Sequence, residues 1–409
     1  MREFDLIVIG SGSGLDVANA VAQDGLRVAI IEKARMGGTC LNRGCIPSKL
    51  LIHSADVAET IKGAGQFGIN VSEYSVDFEK IVSRTNNIVD SDSDGIRRAF
   101  SEIDNPKLFP HEGRFVGEKT ISVGGQEIKA QKILIASGTR PAIPKIKGLE
   151  GTGFITSDEA LRLKKQPPTL TIIGGGYIAA ELAHFFGSLG TKINIIQRHD
   201  VLLPDEDEEV ARKFTEVFSK KYSVFLGYST ESVGKSNGMF NIVAKNSSGK
   251  RIEIESDQLL VDAVGRYLFK HAANHEAQYA YYNLTHDKKI PVDYTAMPHA
   301  IFSSPQVAGA GYTEQELKEK GIPYTKGVYP YIRTAMGEAI EDRDGFVNLL
   351  ASKEGKILGC HIIGSHASVL IHEVLVAMKL GASVHDIVRT VHVHPALSEV
   401  VARAASAFG

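Results

Sequence analysis

Two stretches of the chain carry the same order of positions: an apolar run of strand length, a cluster of glycines, then small and apolar residues at helical spacing. The first is Leu6-Ile7-Val8-Ile9, followed by Gly10-Ser11-Gly12-Ser13-Gly14 and LDVANAVAQ. The second is Leu170-Thr171-Ile172-Ile173, followed by Gly174-Gly175-Gly176-Tyr177-Ile178-Ala179 and AELAHFFGSLG. Near-continuous apolar runs predict strands buried on both faces, and a helix after each turn makes the crossover of a parallel sheet. The pattern predicts an α/β fold with two Rossmann-like dinucleotide-binding domains. The apolar runs are broken by Glu181, Lys192 or glycine clusters, and none has the length of a membrane span.

Glycines in such a turn let backbone N–H groups approach a pyrophosphate at the helix N-terminus. Gly10, Gly12 and Gly14 serve the first unit, and Gly174, Gly176 and Ala179 the second. Leu15 and Ala179 stand where a third glycine belongs; alanine is tolerated there, and Leu15 after Gly14 implies a shifted helix start. The second strand of each unit says more. RVAIIEK ends at Glu32, 22 residues after Gly10, the spacing at which an acid accepts from an adenosine ribose hydroxyl, with Lys33 beside it. A solvated strand-end glutamate is the alternative. The equivalent position in KINIIQRHD is Gln197, followed by Arg198. Loss of the acid and gain of a cation suit a 2′-phosphate and tilt the second site towards NADPH over NADH, unless Arg198 is merely solvated. Two such units imply two dinucleotides, FAD first and a nicotinamide second.

Composition narrows the partners. With 409 residues, 43% apolar and 23% charged, the chain is of ordinary globular type, and its net charge of −2 gives no electrostatic case for nucleic acid or an anionic membrane. The first strand begins within MREFDLIVIG, which leaves no room for a secretory signal and predicts a cytoplasmic protein. There are only three cysteines, two of them in GGTCLNRGCIPSK, residues 37 to 49. Such a pair is catalytic or metal-binding before it is structural. Zinc needs more ligands than Cys40 and Cys45 offer, and Cys360, in the apolar run KILGCHIIG, reads as core, so no metal is expected. A reversible disulfide on the flavin face fits better, with thiolates stabilised at a helix N-terminus.

GGTCLNRGCIPSK resembles the redox-active signature of the class I pyridine nucleotide–disulfide oxidoreductases, which include dihydrolipoamide dehydrogenase, mycothione reductase and glutathione reductase. The resemblance extends to the first glycine turn, IASGTRPAIP at 135 to 144, GGGYIAAELA at 174 to 183 and HVHPALSEV at 392 to 400. It implies a flavin-proximal charge-transfer thiolate at Cys45 and an interchange thiol at Cys40. It implies Lys49 at the flavin's reactive edge, ion-paired with Glu181, and an acid–base dyad of His394 and Glu399 that completes the site of the partner subunit in a homodimer. Gly38, Thr39, Gly113, Ser137, Gly138 and Gly265 join the implied cofactor contacts. His392 is the decoy histidine.

The implied organisation is an FAD-binding domain over 1–148, completed by 267–296; a nicotinamide domain over 149–266; and a C-terminal α+β dimerisation domain over 297–409. One stretch departs from the family. After Ala263-Val264-Gly265-Arg266 the family continues for a few tens of residues with a Gly-Asp whose aspartate holds the flavin ribityl chain. Here YLFKHAANHEAQ follows at once. The implied consequence is weaker FAD retention. Three readings stand: a dihydrolipoamide dehydrogenase-like enzyme acting on a lipoyl disulfide, an NADPH-dependent reductase of a low-molecular-weight disulfide, and a flavin-poor homologue without catalysis.

Overall fold

The computed structural model describes residues 1–261 and 269–408. The first crossover consists of β1 (Arg2–Ile9), α1 (Gly14–Gln23) and β2 (Val28–Ile31). The chain continues through α2 (Gly38–Arg43), α3 (Cys45–Gly63) and α4 (Phe78–Glu102). It then adds β3 (Lys107–Phe109), β4 (Gly113–Gly117), β5 (Thr120–Val123) and β6 (Gln126–Ile135). These strands form one six-stranded sheet in the order β3-β2-β1-β6-β5-β4, with β4 and β5 antiparallel on the edge of a parallel set. Successive side chains of β1 serve opposite faces. Leu6 and Val8 pack with Leu15, Val17 and Val21 of α1, whereas Ile7 packs with Ile31, Phe109 and Ile121. Burying each such side chain contributes about 1.5–3 kcal/mol, which fixes the register of the strand carrying the glycine turn.

The helix does start early: α1 begins at Gly14. A Cβ there would lie 2.8 Å from Val8 Cγ1 and 2.9 Å from Ala136 Cβ. Gly14 therefore provides the close helix–strand contact for which the missing third glycine was expected, and Leu15 turns into the core instead.

The second crossover follows a short α5 (Ser157–Ala160). It consists of β7 (Thr169–Ile173), α6 (Tyr177–Ser188), β8 (Lys192–Gln197), α7 (Glu208–Lys221) and β9 (Ser223–Leu226). An antiparallel layer of β10 (Tyr228–Ser236), β11 (Met239–Asn246) and β12 (Arg251–Ser256) precedes β13 (Gln258–Val261), which closes a parallel sheet in the order β13-β7-β8-β9. α6 is buried almost all round, and its Ala179, Ala180 and Ala183 share a core with Leu51, Ile52, Ala55 and Ala58 of α3. Small residues on both helices let them approach closely, and that contact brings the two crossovers together.

Next come α8 (Lys270–Thr285), β14 (Pro298–Ile301), β15 (Gln306–Gly311), α9 (Glu314–Lys320), β16 (Thr325–Pro330), α10 (Ala335–Ala339), β17 (Phe346–Ala351) and β18 (Ile357–Gly364). The chain ends with α11 (Ala367–Leu380), α12 (Val384–Arg389) and α13 (Glu399–Ala405). The strands make an antiparallel sheet in the order β14-β15-β18-β17-β16, on which Leu370, Ile371 and Val374 of α11 and Val400 and Val401 of α13 pack. α8 lies against α1 through Ala277, Ala280, Tyr281 and Leu284. Gly265 and Arg266 lie outside the described residues.

Candidate active site

A cavity of about 2850 Å³ opens at the carboxyl ends of β1 and β2. Gly10, Gly12, Gly14, Glu32, Lys33, Gly113, Ser137 and Gly138 line it, as do Gly38, Thr39, Cys40, Cys45, Lys49 and Glu181. Gly10 has φ +106°, and a Cβ on it would sit 2.2 Å from Ala136 O; one on Gly38, at φ +67°, would sit 2.6 Å from Gly12 Cα. Neither position accepts another residue without displacing backbone. Among the described residues, the N–H groups of Gly12, Ser13 and Gly14 have no hydrogen-bond acceptor. Free donors at the N-terminus of a ten-residue helix suit a diphosphate. Glu32 follows β2 directly and accepts from Ser11 N (3.0 Å), Ser11 Oγ (2.7 Å) and Ala34 N (2.8 Å). A carboxylate has about four lone-pair sites, so one remains for a ribose hydroxyl. These residues fit the adenosine diphosphate end of FAD.

Cys40 and Cys45 are joined in a disulfide, with Cα atoms 4.8 Å apart. Cys40 lies in α2, and Cys45 opens the 19-residue α3. Between them Gly44 carries the reversal of the chain, where a Cβ would stand 2.9 Å from Thr39 O. Both cysteines are half-buried, hence reachable by a substrate. One turn into α3, Lys49 Nζ donates to both Glu181 carboxylate oxygens, at 2.6 and 2.8 Å. Glu181 also accepts from Phe302 N at 3.1 Å, and the Lys49 ammonium lies 4.5 Å from the Phe302 ring centroid. The ion pair thus joins α3, α6 and the chain after β14. The carboxylate is buried and accepts three hydrogen bonds, two from Lys49 and one from Phe302 N, and so it fixes the lysine against the cavity.

The second glycine turn is built differently. Gly174 has φ +115°, and Gly176 caps α6, where Ala179 is buried. A Cβ on Gly175 would meet Leu202 Cδ2 at 2.7 Å and Gln197 Nε2 at 2.8 Å. Gln197 is therefore packed beneath the turn, 5% exposed, while Arg198 is exposed and donates through Nε to His199 Nε2 at 3.2 Å. His199 is the neighbour that sequence reasoning overlooked, although its adjacency to Arg198 could have signalled it.

His394 and Glu399 do not line the cavity. They sit ahead of and at the start of α13, with His394 Nδ1 3.1 Å from both Glu399 carboxylate oxygens. The hydrogen bond from His394, then that from Ala396 N, holds the Glu399 carboxyl below the usual carboxylate range. The imidazole of His394 is exposed, whereas His392 is tucked between Glu373, at 2.7 Å, and Thr390 O, at 2.9 Å. Near His394 in the chain, Val391 and Val393 are 94% and 76% exposed; separately, Val369, Val376 and Leu380 form an exposed apolar stripe on α11.

Two further features were not read from the sequence. The α5 capping box, with Thr156 as its cap, holds Asp158 3.3 Å from Arg43, one of the four residues between the cysteines; burial pushes the Asp158 carboxyl up and Arg43 opposes it. Tyr177, first in α6, lines the cavity with Phe269, their ring centroids 5.3 Å apart. Burial pushes the Cys360 thiol far up. Among the described residues no group of three or more His, Cys, Asp or Glu is placed to hold a metal, and no helix is long and apolar enough to cross a membrane.

Residues 4–300 match the family described as pyridine nucleotide-disulphide oxidoreductase, and residues 297–405 match its dimerisation domain. Mycothione reductase of Mycobacterium tuberculosis is 31% identical over 456 aligned positions, covering 99% of each chain. Dihydrolipoyl dehydrogenase of Bacillus subtilis is 30% identical over 467, covering 99% of this chain and 98% of that one. Both alignments exceed the 409 residues here, so these relatives carry internal segments that this chain lacks. The HOCl-induced flavoprotein disulfide reductase RclA of Escherichia coli, solved as a Cu(II) complex, superposes with a TM-score of 0.87 at 22% identity over the whole of both chains, a likeness of fold.

Proposed function

Because this chain belongs to the pyridine nucleotide–disulfide oxidoreductases, we propose that it is a dihydrolipoamide dehydrogenase-like dithiol–disulfide oxidoreductase whose working pair is Cys40 and Cys45. The observation that carries this reading is the Cys40–Cys45 disulfide beside the Lys49–Glu181 pair, in the cavity that holds the free N–H groups of the first glycine turn. FAD, when bound, supplies the relay of two electrons between the nicotinamide and the disulfide. The protein's own residues do the rest. In the reductive direction the Cys40 thiolate attacks one sulfur of the substrate disulfide; a Cys40–substrate bond forms, the substrate S–S bond breaks, and the leaving thiolate takes a proton from the imidazolium of His394. Cys45 then attacks Cys40 sulfur, re-forming their disulfide and releasing the second thiolate, which also takes up a proton. Each turnover consumes two electrons and two protons. Catalysis in the direction of dithiol oxidation reverses these steps.

His394 is outside the cavity of its own chain, and Val391 and Val393 near it in the chain are exposed, so we assign it and Glu399 to the site of the partner subunit in a homodimer. Lipoamide and a low-molecular-weight disulfide, each offered with NADH and with NADPH, test the reading; if neither supports coenzyme oxidation, the reading fails.

A specific observation favours the NADPH-dependent alternative. Gln197 is packed beneath its glycine turn and offers no acid to a ribose hydroxyl, while Arg198 projects into solvent with a planar donor fork suited to a 2′-phosphate. A hydrogen bond to a charged group contributes about 1.5–3 kcal/mol, and the exposure of Arg198 keeps it at the lower end. We expect wild type to prefer NADPH by about tenfold in kcat/KM, and Arg198→Ala to remove most of that preference while leaving NADH efficiency unchanged. A wild-type preference for NADH, or an unchanged ratio in the variant, rejects the assignment.

A further inference from the structure

The helix that follows the shortened stretch delivers a cation to the flavin site. Lys270 is the first residue of α8, half-buried, and lines the same cavity as Gly10, Gly12 and Gly14. Its ammonium donates to Ser13 Oγ at 2.9 Å, and Ser13 Oγ in turn donates to Asn274 Oδ1 at 2.8 Å. Ser13 is the N-cap residue of α1, but its side chain caps nothing in that helix. The hydroxyl is used to hold α8, and the N–H groups around it stay free.

We propose that Lys270 is a ligand of the FAD diphosphate, supplying a full positive charge beside the free N–H groups of Gly12, Ser13 and Gly14. The inference rests on the FAD-dependent reading above. Three observations support it. Of the cations that line the cavity, Lys33, Arg43 and Lys49 are ion-paired, with Glu112, Asp158 and Glu181 respectively, and Arg140, Lys164 and Lys356 make no hydrogen bond to the first glycine turn, whereas Lys270 bonds the Ser13 hydroxyl within it. Lys270 makes no ion pair among the described residues. An ammonium has three donors, and the Ser13 hydroxyl uses one. Finally, α8 is fixed: its Ala277, Ala280 and Leu284 pack in the core of α1, and Tyr281 donates to Asp24 at the end of α1, at 2.8 Å. The lysine therefore arrives at the turn on a rigid element. Burial depresses the Lys270 ammonium below the ordinary lysine range, with Asp16 acting in the opposite direction, so a nearby dianion would relieve a charge that the fold leaves undercompensated.

The competing role for Lys270 is a structural staple between α8 and α1. Full-length protein stripped of flavin should be titrated with FAD and, separately, with riboflavin, which has no phosphate, by quenching of flavin fluorescence. Lys270→Met is expected to raise the Kd for FAD about ten- to a hundredfold, with riboflavin binding within about twofold of wild type, and Lys270→Arg is expected to recover most of the FAD affinity. The salt dependence of FAD binding should flatten in Lys270→Met, and Lys288→Met, a change at an exposed lysine, should behave as wild type. Equal weakening for FAD and riboflavin would mean that the lysine acts only as a staple and would overturn the proposal. Unchanged FAD affinity in Lys270→Met would overturn it too. Failure of wild type itself to bind FAD would instead bring down the flavoenzyme reading.

Discussion

Cys40→Ser is expected to lower disulfide reduction by about 10³-fold or more while leaving the fold and the bound flavin as in wild type, a loss on the scale seen when an enzyme loses its nucleophile. The disulfide spans only the Gly44 reversal between α2 and α3, and neither half-buried cysteine belongs to the hydrophobic core clusters, so the substitution leaves packing intact. What it removes is chemical. A serine oxygen is not ionised near neutral pH and cannot form the sulfur–sulfur bond to substrate. Cys45→Ser should also stop turnover, but at a different point. Its Cys40 can still attack, and the mixed disulfide then has no thiol to resolve it. Incubating the reduced variants with substrate disulfide and weighing the intact protein should show a one-to-one adduct on Cys45→Ser and none on Cys40→Ser. If the adduct appears on Cys40→Ser instead, the two roles are exchanged; if Cys40→Ser keeps wild-type turnover, the pair is not the working disulfide.

Most of this site could be read from the sequence because its parts are local. Gly10 to Gly14, Glu32 at the end of its strand, and the cysteines five positions apart are set by strand–turn–helix geometry that one segment encodes. The Lys49–Glu181 pair is 132 positions apart in the chain, and no periodicity indicates it; family resemblance named it, and the alanine-lined contact of α3 with α6 is its physical basis. Gln197 illustrates a different limit. Its position at the strand end is local information, but its burial beneath Gly175 depends on how Leu202 folds back over the turn. Lys270 was equally hidden, since nothing near it in sequence indicates that α8 meets the N-cap of α1. The pattern of apolar positions determined which elements form; the polar contacts that join them came only with the fold.

His394→Ala is expected to reduce turnover by about 10²–10⁴-fold, the scale of a positioned proton-transfer group, with little change in KM for the nicotinamide. The exposed imidazole bonds Glu399 and stands apart from the core, so truncation removes a proton carrier and little packing. His392→Ala should behave differently: its ring is packed against Glu373 and Thr390 O, so the loss falls on stability more than on rate. Glu399→Gln, which keeps a hydrogen-bond partner for His394 but removes its charge, should give an intermediate loss of turnover. The carboxylate, held below its usual range, is ionised throughout neutral and mildly acidic solution. The assignment of the dyad to the partner subunit can be tested without a structure of the dimer. In a hybrid of one Cys40→Ser and one His394→Ala subunit, one site carries both lesions and the other neither. Random re-pairing of two inactive homodimers should therefore restore about a quarter of wild-type sites if the dyad crosses the interface. If Cys40 and His394 act within one chain, every site in the hybrid carries one lesion, and mixing restores nothing.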